Sequence, residues 1–221
     1  MMNLKPGIVE GLGTFFLALI VGLTGGNALA VGLVVMGLVY AGAYISGAHY
    51  NGALSLAATI RGLLDKRELI SYWVWQLVGA VLGFMVVHHL VGVDFVLPVN
   101  PELNWYGAAA VELLFTFAFA WVWLTILSSS PYEGNQIFGL VIGLTLTAIV
   151  FLGGTYNPIL ALGSIIVGLL KGSLATKALG GYIGAFIVAP LVGAALAAYV
   201  YRYLNEDDDV EMVFVEEEEA H

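Results

Sequence analysis

The chain has 221 residues, 60% of them apolar and only 10% charged, with 7 Lys and Arg against 16 Asp and Glu. Soluble domains carry about 25% charged residues. This chain therefore cannot cover a water-facing surface, and its mean hydropathy of +0.94 reads as an integral membrane protein with no room for a large extramembrane domain. Cysteine is absent, which excludes disulfides, thiol catalysis and Cys-ligated metal.

In chain order, the first apolar run covers 7–24 and carries Glu10; with only Lys5 ahead of it and no cleavage site after it, it reads as a retained span. The second span is 28–45. The stretch 51–62 follows Ser46-Gly47-Ala48-His49-Tyr50, begins with Asn51, and is too short to cross about 30 Å of hydrocarbon. It reads as a half-helix starting inside the membrane. Further spans are expected at 69–91, 106–127 and 136–152. A second short stretch, 157–170, is led by Asn157 after Gly153-Gly154-Thr155-Tyr156, and a last span covers 179–203. From Glu206 onward there are nine acids and no Lys or Arg, while the rest of the chain holds seven of each. Residues 1–204 therefore read as a neutral membrane domain and 205–221 as an acidic, disordered tail. No basic patch suited to nucleic acid is visible.

Short cytoplasmic loops retain Lys and Arg. Lys5, Arg61, Lys66, Arg67 and Arg202 fall on one side of the bundle and only Lys171 and Lys177 on the other, which places both termini in the cytoplasm.

The halves repeat. Val9-Glu10-Gly11-Leu12-Gly13-Thr14-Phe15 parallels Val111-Glu112-Leu113-Leu114-Phe115-Thr116-Phe117. Asn51-Gly52-Ala53-Leu54 parallels Asn157-Pro158-Ile159-Leu160, and Leu77-Val78-Gly79-Ala80 parallels Leu191-Val192-Gly193-Ala194. Each unit, about 1–100 and 101–204, has three crossings, so the second is inverted. Such repeats bring broken helices together near the midplane. An Asn at a helix start caps first-turn N–H groups and keeps NH₂ donors. Two opposed helix N-termini add positive dipole ends, favouring a neutral acceptor and opposing a cation.

Ser46-Gly47-Ala48-His49-Tyr50-Asn51-Gly52-Ala53 and Gly153-Gly154-Thr155-Tyr156-Asn157-Pro158-Ile159 resemble the paired signature loops of the aquaporin and aquaglyceroporin family, S-G-A-H-x-N-P-A and G-x-x-x-N-P-A-R. The resemblance covers nearly the whole chain before the tail and includes Glu10 and Glu112. It implies an all-α membrane protein with six transmembrane helices, two re-entrant half-helices and an inverted repeat. It also implies a homotetramer in the bilayer whose protomers each conduct water or small neutral solutes such as ammonia, glycerol or urea, without cofactor or metal. The pore signature would be Asn51, Gly52, Ala53, Asn157, Pro158 and Ile159, with Glu10, Glu112 and His49 bracing the loops.

Three positions depart from the pattern. Gly52 replaces a proline, which should loosen that helix start by about 1 kcal/mol. Ile159 replaces an alanine, and Leu160 stands where the family places its selectivity-filter arginine. By alignment the other filter positions are Val31, Gly154 and Val150, with Thr147 as the alternate to Val150 because the loop onward to Asn157 is short. The filter implied is apolar and comparatively open. Trp73, Trp75, Trp105, Trp121 and Trp123 read as an interfacial belt and packing. His88 and His89 are adjacent on a helix, point apart and do not form a metal site alone. Rival functions are a secondary transporter, which usually needs clustered carboxylates that the midplane lacks, and a non-conducting structural role. No Ser/His/Asp set, ligand cluster or phosphate loop favours an enzyme.

Overall fold

A computed structural model describes residues 4–92, 97 and 102–205. The acidic tail expected from Glu206 onward lies outside the described residues. Four elements build each half. The first half comprises α1 (Leu4–Thr24), α2 (Ala28–Ser46), the short α3 (Gly52–Arg61) and α4 (Lys66–Val91). The second comprises α5 (Trp105–Ser128), α6 (Phe138–Val150), the short α7 (Pro158–Lys171) and α8 (Thr176–Leu204).

The ends follow local chemistry. Asn27 and Asn104 cap α2 and α5 by accepting from the Ala30 and Gly107 N–H groups. Helix α4 starts three residues before the apolar run, because Asp65 and Glu68 form a reciprocal capping box that an apolar window overlooks. Among the described residues, five helices (α1, α2, α4, α5 and α8) are long and apolar enough to cross a membrane. Helix α6 has 13 residues, about 20 Å, and is shorter than the expected 136–152. The chain leaves it through turns at Leu152 and Gly153, the latter left-handed at φ 83°, because only a few residues remain to reach Asn157. Non-helical backbone covers 151–157 between α6 and α7. Helix α8 contains a π turn at Gly184–Val188. Pro190 explains it: its ring would strike the carbonyl four residues back, and the Ala189 N–H reaches Gly184 instead, five residues back.

Packing shows the inverted repeat. Helix α1 lies along α4 as α5 lies along α8, and α2 of one half packs against α6 of the other. The half-helices cross over, α3 onto α8 and α7 onto α4, and touch each other. Gly79 sits against the Gly11 carbonyl and Gly193 against the Leu113 carbonyl, where a side chain at either position would collide with backbone. These matched contacts equate α4 with α8. The link between halves is pinned at Leu97, which is buried, donates from its N–H to Ser164 Oγ at 3.2 Å and accepts from Tyr182 Oη at 3.3 Å.

Candidate functional site

The half-helices α3 and α7 start at the same place. Asn51 and Asn157 precede them with extended backbones, and their side-chain oxygens cap Ala53 N at 2.9 Å and Leu160 N at 3.2 Å. Their amides then cross between halves. Asn51 Nδ2 donates to the Tyr156 carbonyl and Asn157 Nδ2 to the Tyr50 carbonyl, both at 2.8 Å. Those carbonyls can be reached because Tyr50 and Tyr156 are left-handed, at φ 48° and 53°, so each peptide turns toward the other loop. One N–H of each amide is committed to this clamp. A second N–H remains on each.

Strained backbone of this kind persists only if its surroundings over-determine it. In the first loop Glu10 does this. Its two oxygens accept from Ser46 Oγ at 2.7 Å, His49 N at 2.9 Å, Tyr50 N at 2.6 Å and Gln76 Nε2 at 2.8 Å. Four donors fill the four lone-pair sites of a carboxylate. Gln76 also donates to Ser55 Oγ, which donates onward to the Asn51 carbonyl. Ser55 has one proton, so its 3.0 Å contact with His49 assigns the Nδ1–H tautomer to that ring. His49 is wedged edge-on between Tyr72 and Trp123. In the second loop Glu112 accepts from the Thr155 and Tyr156 N–H groups, the latter at 2.7 Å. The Tyr156 ring folds over Gly154, where a side chain would collide with it, and its hydroxyl donates to Ile149 O at 2.9 Å.

Beside the paired loops lies a small cavity of about 30 Å³. Asn51, Asn157, His49 and Thr155 contribute its polar side, and Val31, Val35, Val39, Ile142, Leu146 and Leu160 much of its apolar wall. Of the four positions aligned to a filter, Val31 and Leu160 border this cavity. Gly154 borders a separate, smaller recess of about 10 Å³ beside Glu112. Val150, half-buried, ends α6 and packs against the core. Thr147 donates to the Gly143 carbonyl and faces Gly32 across the α2–α6 contact. Ile159 is buried and packs on Gly52. Ala53 and Pro158 are buried in the first turns of their half-helices.

The sequence does not single out Gln76 and Ser55 as bracing residues, and Trp73, expected in the belt and packing, also donates from Nε1 to the Gly52 carbonyl at 3.0 Å. An isolated amide within the apolar run of α4 was the available signal for Gln76, since a polar side chain at that depth needs partners. Trp123 is fully buried against His49 rather than interfacial.

Comparison with known proteins agrees with this geometry. The family described as major intrinsic protein matches residues 5–201. The chain is 31% identical to glycerol uptake facilitator protein-like 6 of Lactiplantibacillus plantarum over 226 residues, covering 91% of this chain and 98% of that protein. It is 32% identical to aquaporin Z of Brucella melitensis over 191 residues, 81% and 82% of the two chains. The X-ray structure of the aquaglyceroporin from Plasmodium falciparum superposes with a TM-score of 0.79 at 27% identity, covering 90% of this chain and 95% of that one. This chain belongs to the major intrinsic protein family.

Proposed function

We propose that this protein is a passive membrane channel for water and small neutral solutes, and not an enzyme. The observation that carries the reading is the reciprocal Asn51–Tyr156 and Asn157–Tyr50 clamp on the wall of a largely apolar cavity. It leaves one N–H on each amide as a donor to a passing oxygen, at the convergence of two half-helix N-termini whose dipoles oppose cations. Family membership and relatives named for glycerol uptake and as aquaporins support it.

The filter is assigned to Val31 and Leu160 on the cavity, with Gly154 and Val150 nearer the α6–α7 connection. Leucine in the arginine position supplies neither donors nor fixed charge. An apolar constriction cannot compensate a polar solute for lost water, so conduction depends on width, and the small Val31 favours a wide passage. Glycerol, urea or ammonia should pass measurably, with water at or below the rate of a water-selective relative. Residues 1–204 form one channel domain that assembles as a homotetramer. Both termini face the cytoplasm, on the side of Lys5, Arg61, Lys66, Arg67 and Arg202.

Stopped-flow light scattering of reconstituted liposomes tests the reading, comparing water, glycerol, urea and ammonia with empty vesicles. Flux above the empty-vesicle rate, indifferent to Na⁺ or H⁺ gradients, is expected. Accumulation above equilibrium under such a gradient would establish a transporter instead.

A further inference from the structure

The two signature departures Gly52 and Ile159 lie on different half-helices, 107 positions apart in sequence, and they touch. A β-carbon placed on Gly52 would collide with Cγ1 of Ile159 and come within 3.3 Å of its Cδ1 and of Trp73 Nε1. Backbone chemistry does not require glycine there. Gly52 is the first residue of α3, it is not among the residues with positive φ, and a missing N–H at a first helical position costs no ladder bond. The barrier to a larger residue at 52 is the isoleucine. Conversely, Ile159 does not border the cavity; its side chain fills the notch that Gly52 leaves, while Trp73 ties the Gly52 carbonyl to α4.

We propose that Gly52 and Ile159 form a mutually dependent spacer, braced by Trp73, that sets the separation of the two half-helix starts and hence the aperture between Asn51 and Asn157. They are positioning residues, since neither borders the cavity. The looseness expected of a glycine helix start is offset by this contact. The inference rests on the channel reading and deepens it: solute discrimination depends on a packed pair outside the lumen.

A double-substitution cycle tests it in liposomes, with Gly52→Pro, Gly52→Ala, Ile159→Ala and the two combinations carrying Ile159→Ala. The quantity read is the glycerol-to-water permeability ratio, which does not depend on how much protein is active. Each single substitution should shift that ratio by about threefold or more, and each combination should return to within about twofold of the parent, the non-additivity of residues in contact. If Gly52→Pro does not fold, the Gly52→Ala cycle gives the same reading. Single effects that multiply in the combinations, or a Gly52→Ala ratio equal to the parent's, overturn the spacer. A parent that conducts neither solute overturns the channel reading and the aperture with it, which distinguishes the two failures.

Discussion

In the first re-entrant loop Glu10 accepts from four donors, and Ser46, Ser55 and Gln76 build a polar network around it. In the second, Glu112 accepts from two backbone N–H groups, and the positions equivalent to Ser46, Ser55 and Gln76 hold Leu152, Ala161 and Pro190. Thr14 donates to the Glu10 carbonyl, whereas its counterpart Thr116 is buried with no hydrogen-bond partner for its hydroxyl among the described residues. Yet both loops place a left-handed tyrosine before an extended asparagine, with φ values within 5° at the tyrosines. The second loop reaches this backbone with ring packing of Tyr156 on Gly154 and a proline at the first helical position. One geometry is thus held by a four-donor carboxylate in one half and a two-donor carboxylate in the other, with a tyrosine packed on glycine in both. The four-donor version concentrates its stability in a single carboxylate.

The largest effect should come from that carboxylate. Glu10→Ala strands four buried donors, at about 1–3 kcal/mol each, and should abolish folded protein in detergent, whereas Glu112→Ala strands two and should yield a folded protein of lowered melting temperature. Equal losses in the two variants would erase the asymmetry. Asn157→Ala removes both the cap on α7 and its half of the clamp; flux of water and solute should fall about tenfold or more, a loss of about 1.4 kcal/mol or more in barrier terms. Unchanged flux in a folded protein would remove the asparagines from the conduction path. Gln76→Leu deletes the donors to Glu10 and Ser55 and should destabilise by about 2–3 kcal/mol in thermal unfolding.

Leu160→Arg sharpens the view of the second loop, because it adds donors and charge at a position whose leucine supplies neither. It should lower the glycerol-to-water ratio by about tenfold, read in the same liposomes, if Leu160 lines the constriction. The smallest effect separates the paired threonines. Thr116→Val removes an unpartnered hydroxyl and should be neutral or stabilising by up to about 1 kcal/mol, while Thr14→Val should destabilise slightly. Opposite signs in melting temperature are the diagnostic.

The spans, the half-helices and the repeat were legible because hydrophobic length and the recurrence of Glu and Asn are local signals. The end of α6 was not. A short connection to Asn157 trades helix for turn, and this trade decides whether Val150 or Leu146 approaches the cavity. Ile159 was legible as a larger residue beside the asparagines but not as the neighbour of Gly52, since that contact joins residues 107 apart and depends on how two half-helices cross. The π turn had a local cause in Pro190, readable from the proline alone.

The reciprocal clamp also has a consequence for biosynthesis. Each loop is closed by an amide from the opposite half, across 105 and 107 positions of sequence. When Asn51 emerges from the ribosome its carbonyl partner does not yet exist, and at about 5–20 residues per second that partner follows about 5–20 s later. For that interval the first loop must sit in the translocation machinery or the bilayer with its left-handed turn supported by groups of the first half alone. The four donors gathered on Glu10 include two from the loop backbone and one from Ser46, all synthesised before the wait begins, and Gln76 joins them within about 25 further residues. The second loop has no such interval, because every group it needs from the first half is already in place when it arrives.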